Sequence, residues 1–239
     1  MFVVLLVAAL MAMPTAAPAL PLRPESATGP LGNERLSDEF LLTRTVLANS
    51  PARIRRHPSS SSGIITRLRY DTEDGYPEVY LALRSYVDGR GATWIRIRIP
   101  ARPNGRTGWV KQVSVGNMRT VHTALRIQRG RRATLYRRGR AVFSAPVGTG
   151  APGTPTPAGQ FWIREKFRAH GGIYGPYAFG TAAYSVLSDW PRGGVVGIHG
   201  TNQPGLIPGY PSHGCVRLRN SDITRLYRLM PVGTPVRIT

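Results

Sequence analysis

Ser212-His213-Gly214-Cys215-Val216-Arg217 holds the only cysteine of the 239-residue chain, and a second histidine-glycine pair, His199-Gly200, lies upstream of it. A thiol is a strong nucleophile only when ionised, and at its reference pKa of about 8.5 it is mostly protonated at neutral pH. Imidazoles close by can take that proton, and two of them, His199 and His213, precede this cysteine. The pattern reads as the reaction centre of a cysteine acyl-transfer enzyme.

The flanking residues place these groups on strands. Val195-Val196-Gly197-Ile198 reads as a buried strand that delivers His199, and the stretch 213–217 reads as a second strand. Residues two apart on a strand share a face, so His213, Cys215 and Arg217 are expected to point together. Gly214 allows close approach of a substrate backbone, and the Gly214 and Cys215 N–H groups are candidate oxyanion donors. Arg217 suits a carboxylate through a forked pair of hydrogen bonds. Two histidines and a cysteine are also a partial zinc set. A structural zinc site wants a fourth ligand and the chain has no second cysteine, so no metal or cofactor is expected. The residues alone leave open whether His199 or His213 is the base; local spacing favours His213.

Outward from this centre the pattern stays β. Thr123-Ala124-Leu125-Arg126-Ile127 and Ala133-Thr134-Leu135-Tyr136 flank an Arg129-Gly130 hairpin turn, residues 141–147 make a third strand, and Phe161-Trp162-Ile163 begins another. Between them, Pro152, Pro155 and Pro157 forbid regular ladder pairing in the segment 148–159. Ile223, Leu226, Tyr227 and Met230 fall at helical spacing, with Asn220 or Ser221 as N-cap and Pro231 as the stop, and Pro235-Val236-Arg237-Ile238 closes as a strand. Before residue 116, short alternating runs (Val79-Tyr80-Leu81-Ala82-Leu83, Trp94-Ile95-Arg96-Ile97-Arg98-Ile99) alternate with Asp74-Gly75, Asp88-Gly89 and Asn104-Gly105 turns, which indicates a small antiparallel β unit over 51–115. Its closing stretch, 94–110, resembles the end of a bacterial SH3-like domain. Residues 20–50 read as a linker with a weak helix at 37–47, and residues 1–19, an apolar run ending in Ala17-Pro18-Ala19, read as a signal peptide or membrane anchor.

The combination of His199-Gly200-Thr201-Asn202 with Ser212-His213-Gly214-Cys215-Val216-Arg217 resembles the signature of the L,D-transpeptidase (YkuD-type) catalytic domain. Leu135-Tyr136-Arg137-Arg138-Gly139, Gly153-Thr154-Pro155-Thr156-Pro157-Ala158-Gly159, Tyr174-Gly175-Pro176-Tyr177 and Val232-Gly233-Thr234-Pro235-Val236 are similar to that family's recurrent segments. The resemblance covers 117–239. It implies a mostly β fold with one late helix, preceded by the SH3-like β-barrel. It implies that Cys215 attacks a peptidoglycan stem tetrapeptide, that D-alanine leaves, and that an amine of a neighbouring stem takes the acyl group from the thioester. It assigns proton transfer to His199 and gives His213, Gly214 and Ser212 supporting or oxyanion roles. Arg217, Gly200 and Tyr184 become substrate-binding candidates. Tyr174, Tyr177 and Tyr184 fall in a segment, 168–185, that forms a lid in the family, and carbapenems are the expected inhibitors.

The balance of charge is +20, nearly all arginine, since Lys111 and Lys166 are the only lysines. The arginines are scattered and form no nucleic-acid motif, so nucleic acid is not an expected partner. A positive field of that size favours anionic wall polymers. Export fits the leader, and a lone cysteine excludes an internal disulfide. The expected module at 51–115 positions the enzyme on the wall and stays out of the chemistry. Two further functions compete: an L,D-carboxypeptidase, in which water resolves the thioester, and a wall-binding protein with an idle catalytic domain.

Overall fold

The structure, a computed structural model, describes residues 20–25, 29–189 and 191–239; the stretch 1–19, read above as a leader, lies outside the described residues. Seventeen strands build two sheets, and α1 (Asn220–Leu229) is the single α-helix among the described residues. The fold is mostly β with one late helix, as the alternation implied.

The first sheet contains β1 (Thr43–Leu47), β2 (Arg53–Arg55), β3 (Ile64–Arg67), β4 (Val79–Val87), β5 (Thr93–Arg98), β6 (Thr107–Lys111) and β7 (Arg119–Val121), in the order β3-β2-β6-β5-β4-β1-β7. Its inward residues, among them Val46, Ile54, Tyr80, Ile95, Ile97 and Val110, form one core. Two expectations change here. The helix expected at 37–47 is strand β1, because Thr43, Thr45 and Val46 are β-branched and the segment pairs with β4 (Arg44 opposite Ala82) and with β7 (Arg44 opposite Thr120). The stretch 20–50 is therefore not only a linker, and the first sheet reaches past residue 117 through β7.

The second sheet contains β8 (Thr123–Gln128), β9 (Arg132–Arg137), β10 (Arg140–Pro146), β11 (Gly148–Gly150), β12 (Gly159–Arg168), β13 (Tyr177–Tyr184), β14 (Val195–His199), β15 (Gly209–Ser212), β16 (Val216–Arg217) and β17 (Pro235–Ile238), ordered β10-β9-β8-β17-β12-β13-β14-β16-β11-β15. Ile223, Leu226 and Met230 of the helical stripe are fully buried against Phe179, Val216, Leu218 and Val236. The helix carries no side-chain N-cap bond. Asn220, expected as a cap, turns its Oδ1 to accept the Thr201 N–H at 2.9 Å and so fixes the loop after His199.

The two sheets are locked together, which departs from the expectation of a separate module. Trp162 packs with Leu81 and Ala182 and donates its indole N–H to the Val79 carbonyl at 2.6 Å. Arg164, 2% exposed, is ion-paired to Glu78, which is 0% exposed, and to Glu73 at 2.8 Å. Asn104 exchanges two hydrogen bonds with the Tyr184 backbone (2.8 and 3.0 Å), and Arg102 donates to the carbonyls of Ser185 and Gly193, each at 2.6 Å.

Candidate active site

One face of β12, β13 and β14 forms the floor of a cleft of about 560 Å³. Register explains which residues it shows. Glu165 lies opposite Gly180, and Gly180 opposite Gly197; Phe167 lies opposite Ala178, and Ala178 opposite His199. Directly opposed residues of an antiparallel pair share a face, so the floor is two parallel rows, one ending in His199. The other row ends at the thiol: Gly197 N–H donates to Cys215 Sγ at 3.4 Å. A Cβ built on Gly197 would lie 3.7 Å from His199 Cδ2 and 3.8 Å from Cys215 Sγ. Imidazole and thiol thus flank the same bare glycine.

Cys215 does not sit inside a regular strand. β15 ends at Ser212, His213 and Gly214 form a bend, and β16 starts only at Val216. Gly214 has φ +126°, a conformation that favours glycine, so the expected strand alternation from 213 to 217 is broken there. Ser212 holds the bend. Its Oγ accepts the Gly214 N–H at 3.1 Å and donates to the Cys215 carbonyl at 2.5 Å. Thr156 Oγ1, from the proline-rich segment, donates to the Gly214 carbonyl at 2.7 Å.

His199 is 4% exposed, with Tyr174 edge-on to its ring at 5.0 Å between centroids. Its Nδ1 lies 2.6 Å from the Gly200 carbonyl. A carbonyl only accepts, so Nδ1 carries the proton and Nε2 is the bare, basic nitrogen. Burial, partly opposed by that carbonyl bond and reinforced by the Arg217 charge, lowers the imidazole pKa to about 4. Burial pushes the Cys215 thiol up, against the pull of the Gly197 N–H and of Arg217 and Arg192. The resting pair is therefore a neutral thiol and a neutral imidazole, and ionisation has to accompany attack.

The structure sorts the remaining expected residues. Cys215, His199 and Tyr174 line the cleft. His213 is exposed on the bend. The Gly214 N–H is occupied by Ser212 and so is not an oxyanion donor, and Ser212 acts as a clamp on the nucleophile's loop. Gly200 contributes the carbonyl that sets the tautomer rather than a substrate contact. Arg217 pairs in register with His199 and donates to Gln203 at 3.2 Å, while its Nε is buried with no hydrogen-bond partner. Tyr177 stacks on Tyr227 at 4.2 Å in the core. Tyr184, expected over the substrate, is 7% exposed between the sheets, its hydroxyl donating to Glu73 (2.8 Å) with the Pro100 carbonyl 3.0 Å away, and Arg102 lies over its ring.

The opposite wall comes from the first sheet. The loop between β3 and β4 brings Asp74 and Tyr76 to the cleft, where Tyr76 stacks on Phe167 (6.0 Å between centroids, 14° between planes) and Asp74 pairs with Arg192 at 2.5 Å. Thr72 of the same loop donates its hydroxyl to Glu165. Sequence reasoning passed over these residues. The one available signal was the charged pair Arg164-Glu165 directly after the apolar run Phe161-Trp162-Ile163.

A family model described as the L,D-transpeptidase catalytic domain, YkuD, matches residues 102–238. The chain is 36% identical over 110 residues to a Bacillus licheniformis protein named for the L,D-transpeptidase YkuD, covering 46% of this chain and 61% of that protein. A Bacillus subtilis protein of the same name is 34% identical over 105 residues, 44% of this chain and 58% of its own length. The matched stretch thus spans about three-fifths of these relatives. The solved catalytic domain of the Enterococcus faecium L,D-transpeptidase aligns at 24% identity and a TM-score of 0.40, over 49% of this chain and 96% of that domain. The family match begins inside the first sheet rather than at 117, at Arg102 and Asn104, the residues that tie the hairpin between β5 and β6 to β13 and its exit. With the family model matching more than half of the chain, this protein belongs to the YkuD family of L,D-transpeptidase catalytic domains.

Proposed function

We propose that this protein is an exported, cysteine-dependent peptidoglycan transpeptidase that joins stem peptides through a thioester on Cys215. The observation that carries the reading is the tautomer of His199: with Nδ1–H held by Gly200, a bare Nε2 is left in the cleft that contains the only thiol. Sγ attacks the carbonyl of the tetrapeptide's terminal peptide bond as Nε2 takes its proton. The Gly197 N–H steadies the developing thiolate, and the Cys215 N–H remains as the candidate donor to the oxyanion. The imidazolium then protonates the departing amine, and D-alanine leaves. An acceptor amine attacks the thioester and restores the thiol.

The basic field of the chain suits a wall-facing enzyme. A groove of about 600 Å³ on the first sheet, lined by Arg53, Arg55, Arg67, Lys111 and Tyr70, is where we place anionic wall polymers. The test is product mass spectrometry with a defined stem tetrapeptide and an amine acceptor. The wild type should release D-alanine and form a cross-linked dimer, and it should take up one carbapenem mass. Cys215→Ala should do neither while keeping its fold. A tripeptide as the sole product would instead support the carboxypeptidase reading, and a carbapenem adduct on Cys215→Ala would refute the assignment of the nucleophile.

A further inference from the structure

The transfer step, as read above, starts from an acceptor ammonium that must shed two protons, and His199 Nε2, bare again once D-alanine has left, takes only one. The strand register supplies a second group. Glu165, Gly180 and Gly197 stand opposite one another across β12, β13 and β14, and the row ends at Cys215 Sγ. The two central positions are glycines, so the row is an open trough with a carboxyl at one end and the nucleophile at the other. A Cβ on Gly180 would lie 2.2 Å from Glu165 Oε1, so this carboxyl folds over Gly180 toward Cys215 and occupies the space a side chain there would take. The gap to the sulfur is on the order of one to two strand spacings, about 5–10 Å. A carboxylate-to-amine hydrogen bond of about 3 Å followed by a reacting contact of about 3 Å fits in it.

We propose that Glu165 is a further catalytic residue, the group that binds the acceptor ammonium and removes its proton, and thereby decides between transfer and hydrolysis. This rests on the transpeptidase reading given above. The step is balanced. The acceptor R–NH3+ gives one proton to the Glu165 carboxylate, and the neutral nitrogen bonds to the thioester carbonyl carbon. The second N–H proton passes to His199 Nε2, the C–S bond breaks with its electron pair on Sγ, and the imidazolium returns that proton to sulfur. Glu165 later releases its proton to water.

The environment of Glu165 suits this task. It is 5% exposed. The Thr72 hydroxyl fixes one carboxyl oxygen, Oε2, and leaves Oε1 over Gly180. Burial, a hydrogen bond shared with the Asp74 carboxyl and that carboxyl's charge raise its pKa to about 7, against the Thr72 bond and the Arg164 charge. Asp74 is itself paired with Arg192, and Arg168 and His170 line the same cleft. Thr72 and Asp74 both come from the first sheet, so that sheet builds the acceptor side of the site instead of standing apart from it.

The experiment uses the full chain and Glu165→Gln, whose amide oxygen still accepts the Thr72 hydroxyl. A defined tetrapeptide donor is mixed with excess of an acceptor bearing a primary alkylamine, and the ratio of amide to hydrolysed tripeptide is read by mass spectrometry. The ratio divides out any change in acylation. Removing a general base should lower it by ~10²-fold. Hydroxylamine, largely unprotonated at neutral pH, needs no proton removed before attack and should give the variant and the wild type similar ratios. A Glu165→Gln ratio within twofold of wild type with the alkylamine, or an equal loss with hydroxylamine, would overturn the proposal. A wild type that is never acylated at Cys215 would overturn the transpeptidase reading itself, and this inference with it.

Discussion

Replacing Arg164 by Met takes the cation out of the contact between the two sheets while keeping most of its apolar volume. Arg164 Nε donates to Glu78 Oε1 at 2.8 Å, Nη2 pairs with the other Glu78 oxygen, and Nη1 lies 2.8 Å from Glu73 Oε2. Glu78 is 0% exposed, so without the guanidinium a carboxylate is stranded out of water. Breaking a buried pair by removing one partner costs about 3–5 kcal/mol. For a chain of this length each kcal/mol lowers Tm by roughly 2–4 °C, so a fall of about 6–20 °C at pH 7 is expected by calorimetry. Glu78→Gln in the same protein should recover part of the loss, because a neutral amide needs no counter-charge. The deficit should also depend on pH. Burial works against ionisation of Glu73, but Arg164 and the Tyr184 hydroxyl outweigh it and hold its pKa down to about 2, below the usual 4.5. A depressed folded pKa stabilises above the unfolded value and loses that stabilisation as pH falls through the folded one. The gap between wild type and Arg164→Met should therefore be full at neutral pH and shrink between about pH 4.5 and 2. The same logic extends to truncation: a chain starting near Gly116 loses Glu73 and Glu78 and strands Arg164, so it should lose activity on soluble muropeptides as well as on sacculi. A loss below about 1 kcal/mol at pH 7, or a gap that ignores pH, would refute the reasoning that this ion pair locks the sheets together.

Two glycines separate stability from chemistry. Gly180→Ala puts a Cβ 2.2 Å from Glu165 Oε1 and should cost about 1–3 kcal/mol in urea unfolding, relieved by Glu165→Ala. Gly197→Ala meets only ordinary contacts of 3.6–3.8 Å, so it should keep wild-type stability while slowing acylation, because its methyl stands between His199 and Sγ. The pH profile of acylation should have its acid limb near 4, the lowered pKa of His199, with no break at 6.5. The same depressed pKa means that the neutral imidazole's contribution to stability is full above pH 6.5 and is lost as pH falls toward 4. An acid limb near 6.5 would place the base elsewhere.

Local pattern reached far in this chain. Period-2 alternation and turn dipeptides located β4, β5, β8, β9 and β10, because a strand's faces and a hairpin's turn are written in neighbouring residues. The stripe Ile223, Leu226 and Met230 located the helix for the same reason. The pair of His-Gly signatures located the thiol and the imidazole that share the cleft. What the sequence could not convey depends on residues distant along the chain. The region 37–47 reads as a weak helix, yet its second half is a strand because β4 and β7 offer it partners. Tyr184 looks like any cleft tyrosine until Glu73 and Pro100 close over its hydroxyl. The tautomer of His199 rests on a neighbour, Gly200, but bringing its carbonyl within 2.6 Å of Nδ1 takes a backbone conformation set by the tertiary structure. Only it set Glu165 across two glycines from Cys215, since register between strands is fixed by packing over the whole sheet and by no residue near Glu165 in the chain.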